Sequence, residues 1–188
     1  GCYANTFFAI NDAGLAVGTG LDPNDAARNV GFVYDTNTDT AFEVDALPGL
    51  NGALNFAVSN AGHVVGSAML FQGAGVPFIW TEAAGSQQVP LPSDTSQGGA
   101  RGVNSDGWVV GTASNAYAIP FLYDGEQTYR IADLLPADSG WDLETNTFSS
   151  AIGISDCGII VGTGVLDGNI RAYALIPEDV VHAFLQNF

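Results

Sequence analysis

The feature that most constrains the fold is a pair of glycines, four residues apart, that recurs four times along the 188-residue chain. Successive pairs lie 48, 45 and 51 residues apart, and the residue before each second glycine is always valine. The pairs are Gly14 and Gly18, Gly62 and Gly66, Gly107 and Gly111, and Gly158 and Gly162, with Val17, Val65, Val110 and Val161. A repeat of this length indicates stacked supersecondary units that share a core, and so points to an architecture rather than to a reaction.

Each copy is typical of a hairpin between two strands. The first glycine follows a small residue, a β-branched residue and two short polar residues, as in Ala9-Ile10-Asn11-Asp12. Asn, Asp and Ser favour tight turns, and the glycine can take a positive φ. The next strand carries two adjacent apolar residues in every copy, and neighbouring side chains on a strand point to opposite faces. We therefore expect both faces of this strand to be covered, with the four valines at equivalent buried positions.

An aromatic strand follows in each copy, and in three copies a last strand ends in leucine and proline (Leu47-Pro48, Leu91-Pro92 and Leu135-Pro136). Four short strands in each of four units favour an all-β fold, in which repeats of about 47 residues form a small β-propeller-like ring of antiparallel blades. The units run over residues 1–49, 50–92, 93–136 and 137–176 as a single repeat domain. Residues 1–6 lead into a first strand expected at Phe7.

The fourth unit differs because it passes from its aromatic strand directly into Pro177, so its outer strand is missing. Residues 177–188 predict a short C-terminal helix, since proline and acidic residues suit a first turn and apolar residues recur with helical period. The apolar residues of this tail are Val180, Val181, Phe184, Leu185 and Phe188. The tail would either cap the end of the ring or bind another subunit, and an open sheet edge beside it favours assembly with another chain.

The repeat resembles the HAF repeats of predicted extracellular bacterial proteins. The resemblance rests on the run Ala-Ile/Val-Asn/Ser-x-x-Gly-x-Val-Val-Gly-Thr/Ser and on the aromatic strand after it. The His-Ala-Phe signature of that family is absent from all four copies, as Val30-Gly31-Phe32 shows for the first, and His182-Ala183-Phe184 lies in the tail outside the period. The resemblance implies secretion and a propeller-like fold, and it carries no catalytic motif.

The chain is strongly acidic, with 20 Asp and Glu against four Arg and a formal net charge of −16. Such a surface repels nucleic acid and anionic membranes, so we expect neither as a partner. We also expect no transmembrane segment, because no stretch approaches the length of about 20 apolar residues that spans a bilayer. A cation-binding role remains an alternative to simple solubility.

Cys2 and Cys157 are the two cysteines. In a ring of blades the first and last units are neighbours, so a disulfide between these two residues would close the ring in an oxidising compartment. Two free thiols, or a bond from Cys2 to another molecule, remain the alternatives.

The sequence contains no evident catalytic constellation, and we expect no enzyme activity. His63 follows a turn glycine and has no evident catalytic partner. Asp35, Asn37 and Asp39 have the spacing of the start of a calcium loop but lack its glycine and glutamate, so calcium is a weak candidate cofactor beside an ordinary polar hairpin. Trp108 and Trp141 are candidates for stacking on a sugar, with ordinary packing as the alternative.

These observations favour a secreted or cell-surface structural or interaction module that binds other copies of itself or surface polymers. A carbohydrate- or ligand-binding propeller is the competing hypothesis. An enzyme that cleaves extracellular polysaccharide through paired carboxylates is the third.

Overall fold

The computed structural model describes residues 3–69 and 73–178, and within them sixteen strands form four antiparallel sheets. The predicted all-β fold of four repeated units is confirmed. The first sheet contains β1 (Tyr3–Ile10), β2 (Leu15–Asp22), β3 (Asp25–Asp35) and β4 (Thr40–Val44). The second contains β5 (Gly52–Val58), β6 (Val64–Met69), β7 (Val76–Thr81) and β8 (Gly85–Gln88). The third contains β9 (Gln97–Val103), β10 (Val109–Ser114), β11 (Ala118–Tyr123) and β12 (Thr128–Arg130). The fourth contains β13 (Trp141–Asp142), β14 (Ser150–Ile154), β15 (Ile160–Leu166) and β16 (Asn169–Leu175). We call the four sheets blades 1 to 4.

Blades 1 to 3 are meanders in which each strand pairs with the next one in the chain. Blade 4 is only three strands wide. Its β16 pairs with β15 along the whole strand, and β13 and β14 lie end to end along the opposite side of β15. Among the described residues, therefore, no strand pairs with the outer edge of β16, as the sequence predicts for this unit.

The glycine pairs have two different structural roles. The first glycine of every pair has a positive φ, between 79° and 85°, and forms the predicted turn. The second lies beneath the aromatic residue of the third strand: a Cβ at Gly111 would overlap the carbonyl oxygen of Gly99 and would lie 2.9 Å from the ring of Phe121. The same close approach occurs in all four blades. A side chain at the second glycine would therefore push its own strand away from the preceding strand and from the aromatic ring.

In the described part of the chain, the core consists of three hydrophobic clusters, each lying between consecutive blades. Val17 lies in the cluster between blades 1 and 2, Val65 in that between blades 2 and 3, and Val110 in that between blades 3 and 4; all three are 0% exposed. Val161 has the equivalent register position but is 40% exposed. The sequence predicts that Val161 is buried. This prediction is wrong because no described residue forms a fifth blade on that side.

Short polar residues of the hairpin turns also connect neighbouring blades. The side-chain amide of Asn11 donates to the carbonyl oxygen of Ser59 at 2.9 Å, and the backbone N–H of Asp12 donates to Asn60 Oδ1 at 3.0 Å. Blades 3 and 4 repeat the second bond, since the N–H of Ser105 donates to Asp156 Oδ1 at 2.8 Å. The turn residues therefore set the alignment of adjacent blades as well as the path of the chain.

Two strand boundaries differ from the sequence expectation. The first strand begins at Tyr3 rather than at Phe7, and it pairs with β2 from Tyr3 onward. The Leu-Pro pairs follow the last strand instead of ending it: β4 ends at Val44, and Leu47 packs into the first core cluster. A 3₁₀ helix at Ile131–Leu134 precedes the third Leu-Pro pair. No helix in the described part of the chain is long and apolar enough to span a bilayer.

Candidate functional site: the inner-strand row

We call the strand that precedes the first turn glycine of each blade its inner strand: β1, β5, β9 and β14. Each inner strand has a β-bulge at the same place in the repeat. One of its residues does not pair with the strand that follows, as the register shift between Phe7 and Ala9 shows for blade 1. A bulge leaves its extra residue unpaired and redirects its side chain. Consecutive inner strands contact one another, so the bulged residues come side by side. We call these four residues the inner-strand row: Phe8, Phe56, Arg101 and Ile152.

The row is a continuous contact at least from blade 1 to blade 3. The rings of Phe8 and Phe56 meet edge to face, with 5.5 Å between their centroids. The guanidinium carbon of Arg101 lies 4.1 Å from the centroid of Phe56, in a cation–π contact. Phe8 is 50% exposed and Ile152 is 56% exposed, so the row presents apolar surface and one cation to solvent.

Arg101 differs from two other arginines in the chain. Arg28 forms ion pairs with Asp22 and Glu43, and Arg130 forms one with Glu144 at 3.0 Å. Arg101 makes no ion pair within residues 3–69 and 73–178, although the chain carries a formal net charge of −16. A guanidinium has five N–H donors, so Arg101 keeps donors available for an anionic or hydroxyl-bearing ligand.

The sequence analysis missed this row, although a signal for it exists. Each member stands directly before the small residue that opens the repeated run, as Phe8 stands before Ala9 and Arg101 before Gly102. The position varies in residue type while its neighbours stay constant. Variation beside constant neighbours is typical of a position whose residue type is not determined by the fold.

The two candidate stacking tryptophans lie in the packing between blades 3 and 4. Trp108 is half-buried against the third core cluster, close to Gly158. Trp141 also packs against this cluster and meets the ring of Tyr173 edge to face at 5.8 Å. Burial raises the pKa of the Tyr173 hydroxyl, which donates to the carbonyl oxygen of Ser150 at 2.9 Å. Stacking of either tryptophan on a sugar stays a prediction.

The candidate calcium residues form a hydrogen-bonded hairpin turn. The carboxylate of Asp35 accepts from the N–H of Asn37 at 2.8 Å and from the hydroxyl of Thr38 at 2.9 Å, and these bonds lower the pKa of Asp35. Asp39 accepts from the hydroxyl of Tyr34 at 2.7 Å. Across the described ranges, no three His, Cys, Asp or Glu side chains are grouped to hold a metal ion. The oxygens of this turn are used locally, and calcium binding here stays a prediction.

Three further features singled out in the sequence are the two cysteines, His63 and the C-terminal tail. Cys157 is exposed, with a free thiol in the described part of the chain and its Sγ 3.2 Å from the hydroxyl of Ser155. Cys2 lies outside the described residues, so the predicted disulfide stays a prediction. His63 contacts the hydroxyl of Ser59 at 3.2 Å and lies beside the turn of Gly107, which is a structural position between blades. Residues 179–188 of the predicted C-terminal helix also lie outside the described residues, and so do the apolar residues predicted for assembly: Val180, Val181, Phe184, Leu185 and Phe188.

The sequence matches no model of a known protein family, and no curated protein matches it. Solved structures with a similar fold include the β-propeller domain of the Trilobed protease from Pyrococcus furiosus, described as having an open velcro topology; it is 13% identical, with a TM-score of 0.57. TolB from Acinetobacter baumannii is 17% identical, with a TM-score of 0.58. The matches cover 92% and 93% of this chain but only 52% and 41% of the two structures. At these identities the likeness shows the fold alone: four antiparallel blades of the β-propeller type, spanning about half the length of the structures that they match.

Proposed function

We propose that the chain is a secreted or cell-surface structural and interaction module that self-assembles through its open fourth blade and tail. The observation that carries this proposal is that no described residue forms a further blade on the Val161 side of blade 4 or a further strand beside β16. Val161 is 40% exposed at a position that is 0% exposed in the other three blades, and β16 has no partner at its outer edge among the described residues. Exposed apolar surface of this kind and unpaired strand edges mark interaction sites.

The sequence of β16 supports the proposal. Natural edge strands are commonly protected from pairing by lysine, proline or inward-pointing charge. β16 contains no lysine or proline, and its only charged residue is Arg171. Ile170 on this strand is 52% exposed. The edge is therefore long, partly apolar and poorly protected, as expected for a surface that pairs with a partner.

Location outside the cell rests on the acidic composition, on the resemblance to HAF repeats and on the predicted disulfide. Fractionation of the source cells tests it, with the medium and surface fractions expected to contain the chain. Recovery from the cytoplasm alone would contradict it.

Sedimentation velocity over a range of concentrations tests self-assembly. We expect the sedimentation coefficient of the full chain to rise with concentration, and truncation after Glu178 to abolish this rise. A chain that stays monomeric at every concentration contradicts self-assembly. Thermal melts of both proteins check that truncation leaves the fold intact.

The inner-strand row favours a second candidate, a carbohydrate- or ligand-binding propeller. Phe8 and Phe56 offer aromatic surface for stacking, and Arg101 offers unpaired donors beside it. A glycan array probed with the full chain tests this function. Arg101→Ala should then remove binding, whereas Arg171→Ala, which makes the same charge change on β16, should retain it. An array without specific signals contradicts sugar binding.

We propose no catalytic role. Glycoside cleavage by a carboxylate pair needs a general acid with a raised pKa. Among the described residues, the carboxyl groups whose pKa departs from its ordinary value shift downward, because hydrogen bonds stabilise their charged forms: Asp22, Asp35, Asp124 and Asp142. Turnover on a panel of polysaccharides would overturn this proposal.

A further inference from the structure

We infer that a cleft between blades 1 and 2 is a binding site for a neutral carbohydrate. The cleft has a volume of about 600 Å³, and small-molecule sites measure about 300 to 1,000 Å³. We call it the blade 1–2 cleft; its main lining residues are Leu15, Asp35 and Phe42 of blade 1 and Gly62, Trp80 and Glu82 of blade 2. None of them belongs to the inner-strand row. The inference therefore goes beyond self-assembly and gives sugar binding a place separate from that row.

The wall from blade 1 is a row of side chains on one face of its sheet. Leu15 pairs with Asp35, and Asp35 pairs with Thr40, so these three residues stand side by side across β2, β3 and β4. Directly paired residues point to the same face. Phe42 lies two residues after Thr40 on β4 and shares this face, because side chains alternate along a strand.

The wall from blade 2 consists of two turns and one tryptophan. Ala61 and Gly62 belong to the turn before β6, and Glu82 belongs to the turn between β7 and β8. Trp80 is buried in the cluster between the two blades, and its ring lies 5.5 Å from that of Phe42 between centroids. The two walls therefore meet at a pair of aromatic rings.

A larger side chain reaches the next blade at the other two contacts between blades. The residue after the first turn glycine is His63 in blade 2 and Trp108 in blade 3. A Cβ on the turn glycine of the following blade would lie 3.5 Å from His63 and 3.7 Å from Trp108, and the hollow beside Trp108 measures only about 330 Å³. In blade 1 this residue is Leu15, and no described atom lies within 4 Å of the corresponding point at Gly62. The shorter side chain thus leaves the blade 1–2 cleft open.

The blade 1–2 cleft has an unused hydrogen-bond donor and an unused acceptor. The indole N–H of Trp80 and the carboxylate of Glu82 make no hydrogen bond or ion pair among the described residues, and the indole N–H is not sealed from solvent. The indole N–H of a largely buried tryptophan usually has a partner. A free donor and a free acceptor suit a ligand whose groups both accept and donate. Hydroxyl groups do both, whereas ammonium and guanidinium groups only donate.

The exposed ring and the charge of the cleft narrow the ligand class further. Phe42 is 41% exposed, so its ring offers a face on which the C–H groups of a sugar can pack. Asp35 and Glu82 repel uronic acids, sulfated sugars and other anionic ligands, and the formal net charge of −16 acts in the same direction. A neutral oligosaccharide combines hydroxyl groups with apolar C–H faces and carries no negative charge.

A glycan array probed with the full chain, followed by titration calorimetry with the neutral glycan that gives the strongest signal, tests the inference. Phe42→Ala should weaken binding about tenfold or more, because it removes the exposed aromatic face. Glu82→Gln should weaken it about fivefold, since a charged acceptor forms the stronger hydrogen bond. Leu15→Trp gives blade 1 the residue that blade 3 has at this position, and it should fill the cleft and abolish binding.

Two matched variants control for changes outside the cleft. Phe148→Ala removes a ring that is 58% exposed between β13 and β14. Glu126→Gln makes the same charge change as Glu82→Gln in the turn between β11 and β12, which corresponds to the turn of Glu82. Both controls should bind as the wild type does. Thermal melts of all variants identify any that fails to fold, and the exposed positions of Phe42 and Glu82 keep the test valid if Leu15→Trp unfolds the chain.

Three outcomes would overturn the inference. Binding that is lost in Arg101→Ala and kept in Phe42→Ala places the sugar on the inner-strand row, and it leaves the second candidate function intact. Signals from acidic glycans alone, or binding of tetramethylammonium in place of any glycan, assign the cleft to another ligand class or to none. An array without specific signals contradicts both the inference and sugar binding as a function. Self-assembly is tested separately by sedimentation velocity and survives each of these results.

Discussion

The repeated valine allows one substitution to be compared at covered and uncovered positions. Val110 is 0% exposed and packs between blades 3 and 4 in the cluster that contains Ile131 and Leu143. Val110→Ala removes two methyl groups, which at about 0.8 kcal/mol each gives about 1.6 kcal/mol of lost transfer free energy. The cavity left behind adds to this, so we expect the free energy of unfolding to fall by about 2 to 3 kcal/mol.

Val161→Ala is the matched control because Val161 has the same repeat position and is 40% exposed. In the monomer we expect this substitution to lower the free energy of unfolding by about 0.5 kcal/mol or less. Urea unfolding followed by tryptophan fluorescence measures both changes, at a protein concentration low enough to exclude association. The slope of free energy against urea should be unchanged in both variants, since neither alters the surface exposed on unfolding appreciably.

Equal losses for the two variants in dilute monomer would refute this reasoning. That result would mean that another part of the chain covers Val161 in blade 4, and residues 179–188 are the nearest segment in sequence. Truncation after Glu178 would then reduce the effect of Val161→Ala and leave that of Val110→Ala unchanged.

Gly111→Ala should lower the free energy of unfolding by about 3 kcal/mol or more, because its Cβ would overlap a backbone carbonyl; Gly99→Ala, with its nearest side-chain atom at 3.5 Å, should have a much smaller effect in the same urea titration. Asn55 is 0% exposed between blades 1 and 2, so Asn55→Asp should destabilise by about 3 kcal/mol or more in thermal melts, whereas Asn55→Ala should lose about 1 kcal/mol. The pKa of Asp142 is lowered to about 2, first by the hydrogen bond from the Thr145 hydroxyl. A pKa below the unfolded value stabilises the fold above about pH 4, so the melting temperature should fall between about pH 4 and 2, and less steeply in Asp142→Asn.

The sequence predicted the strands, the turns and the order of the repeat because these depend on local chemistry. A glycine after two short polar residues specifies a turn wherever it occurs, and all four first glycines have the expected positive φ. The role of the second glycine was not predicted. Its close approach to an inner-strand carbonyl and an aromatic ring involves strands that lie apart in sequence, as Gly66 shows with Leu54 and Phe78.

The open ends could not be predicted from periodicity. Val161 lies in the same local pattern as Val17, so the pattern indicates that both are apolar strand residues and contains no information about what covers them. Coverage depends on whether another blade exists on that side. The inner-strand row was missed for the opposite reason: Phe8 and Arg101 share a position but no chemistry, and repeat analysis looks for shared chemistry.

The acidic charge of the chain bears on how the open faces behave. Two copies approach with a formal net charge of −16 each, so long-range repulsion opposes every encounter, while the apolar faces attract only at contact. Repulsion of this kind is screened over about 8 Å at physiological ionic strength and over about 3 Å at 1 M salt. Raising the salt concentration from about 0.05 M to about 0.5 M should therefore strengthen association, whereas ion pairs across the contact between copies would make salt weaken it. The exposed face of blade 4 around Val161 contains no ion pair among the described residues, so apolar contact has to supply the attraction. Charge of one sign thus suppresses non-specific association through exposed apolar surface, and only a contact with good shape complementarity overcomes the repulsion.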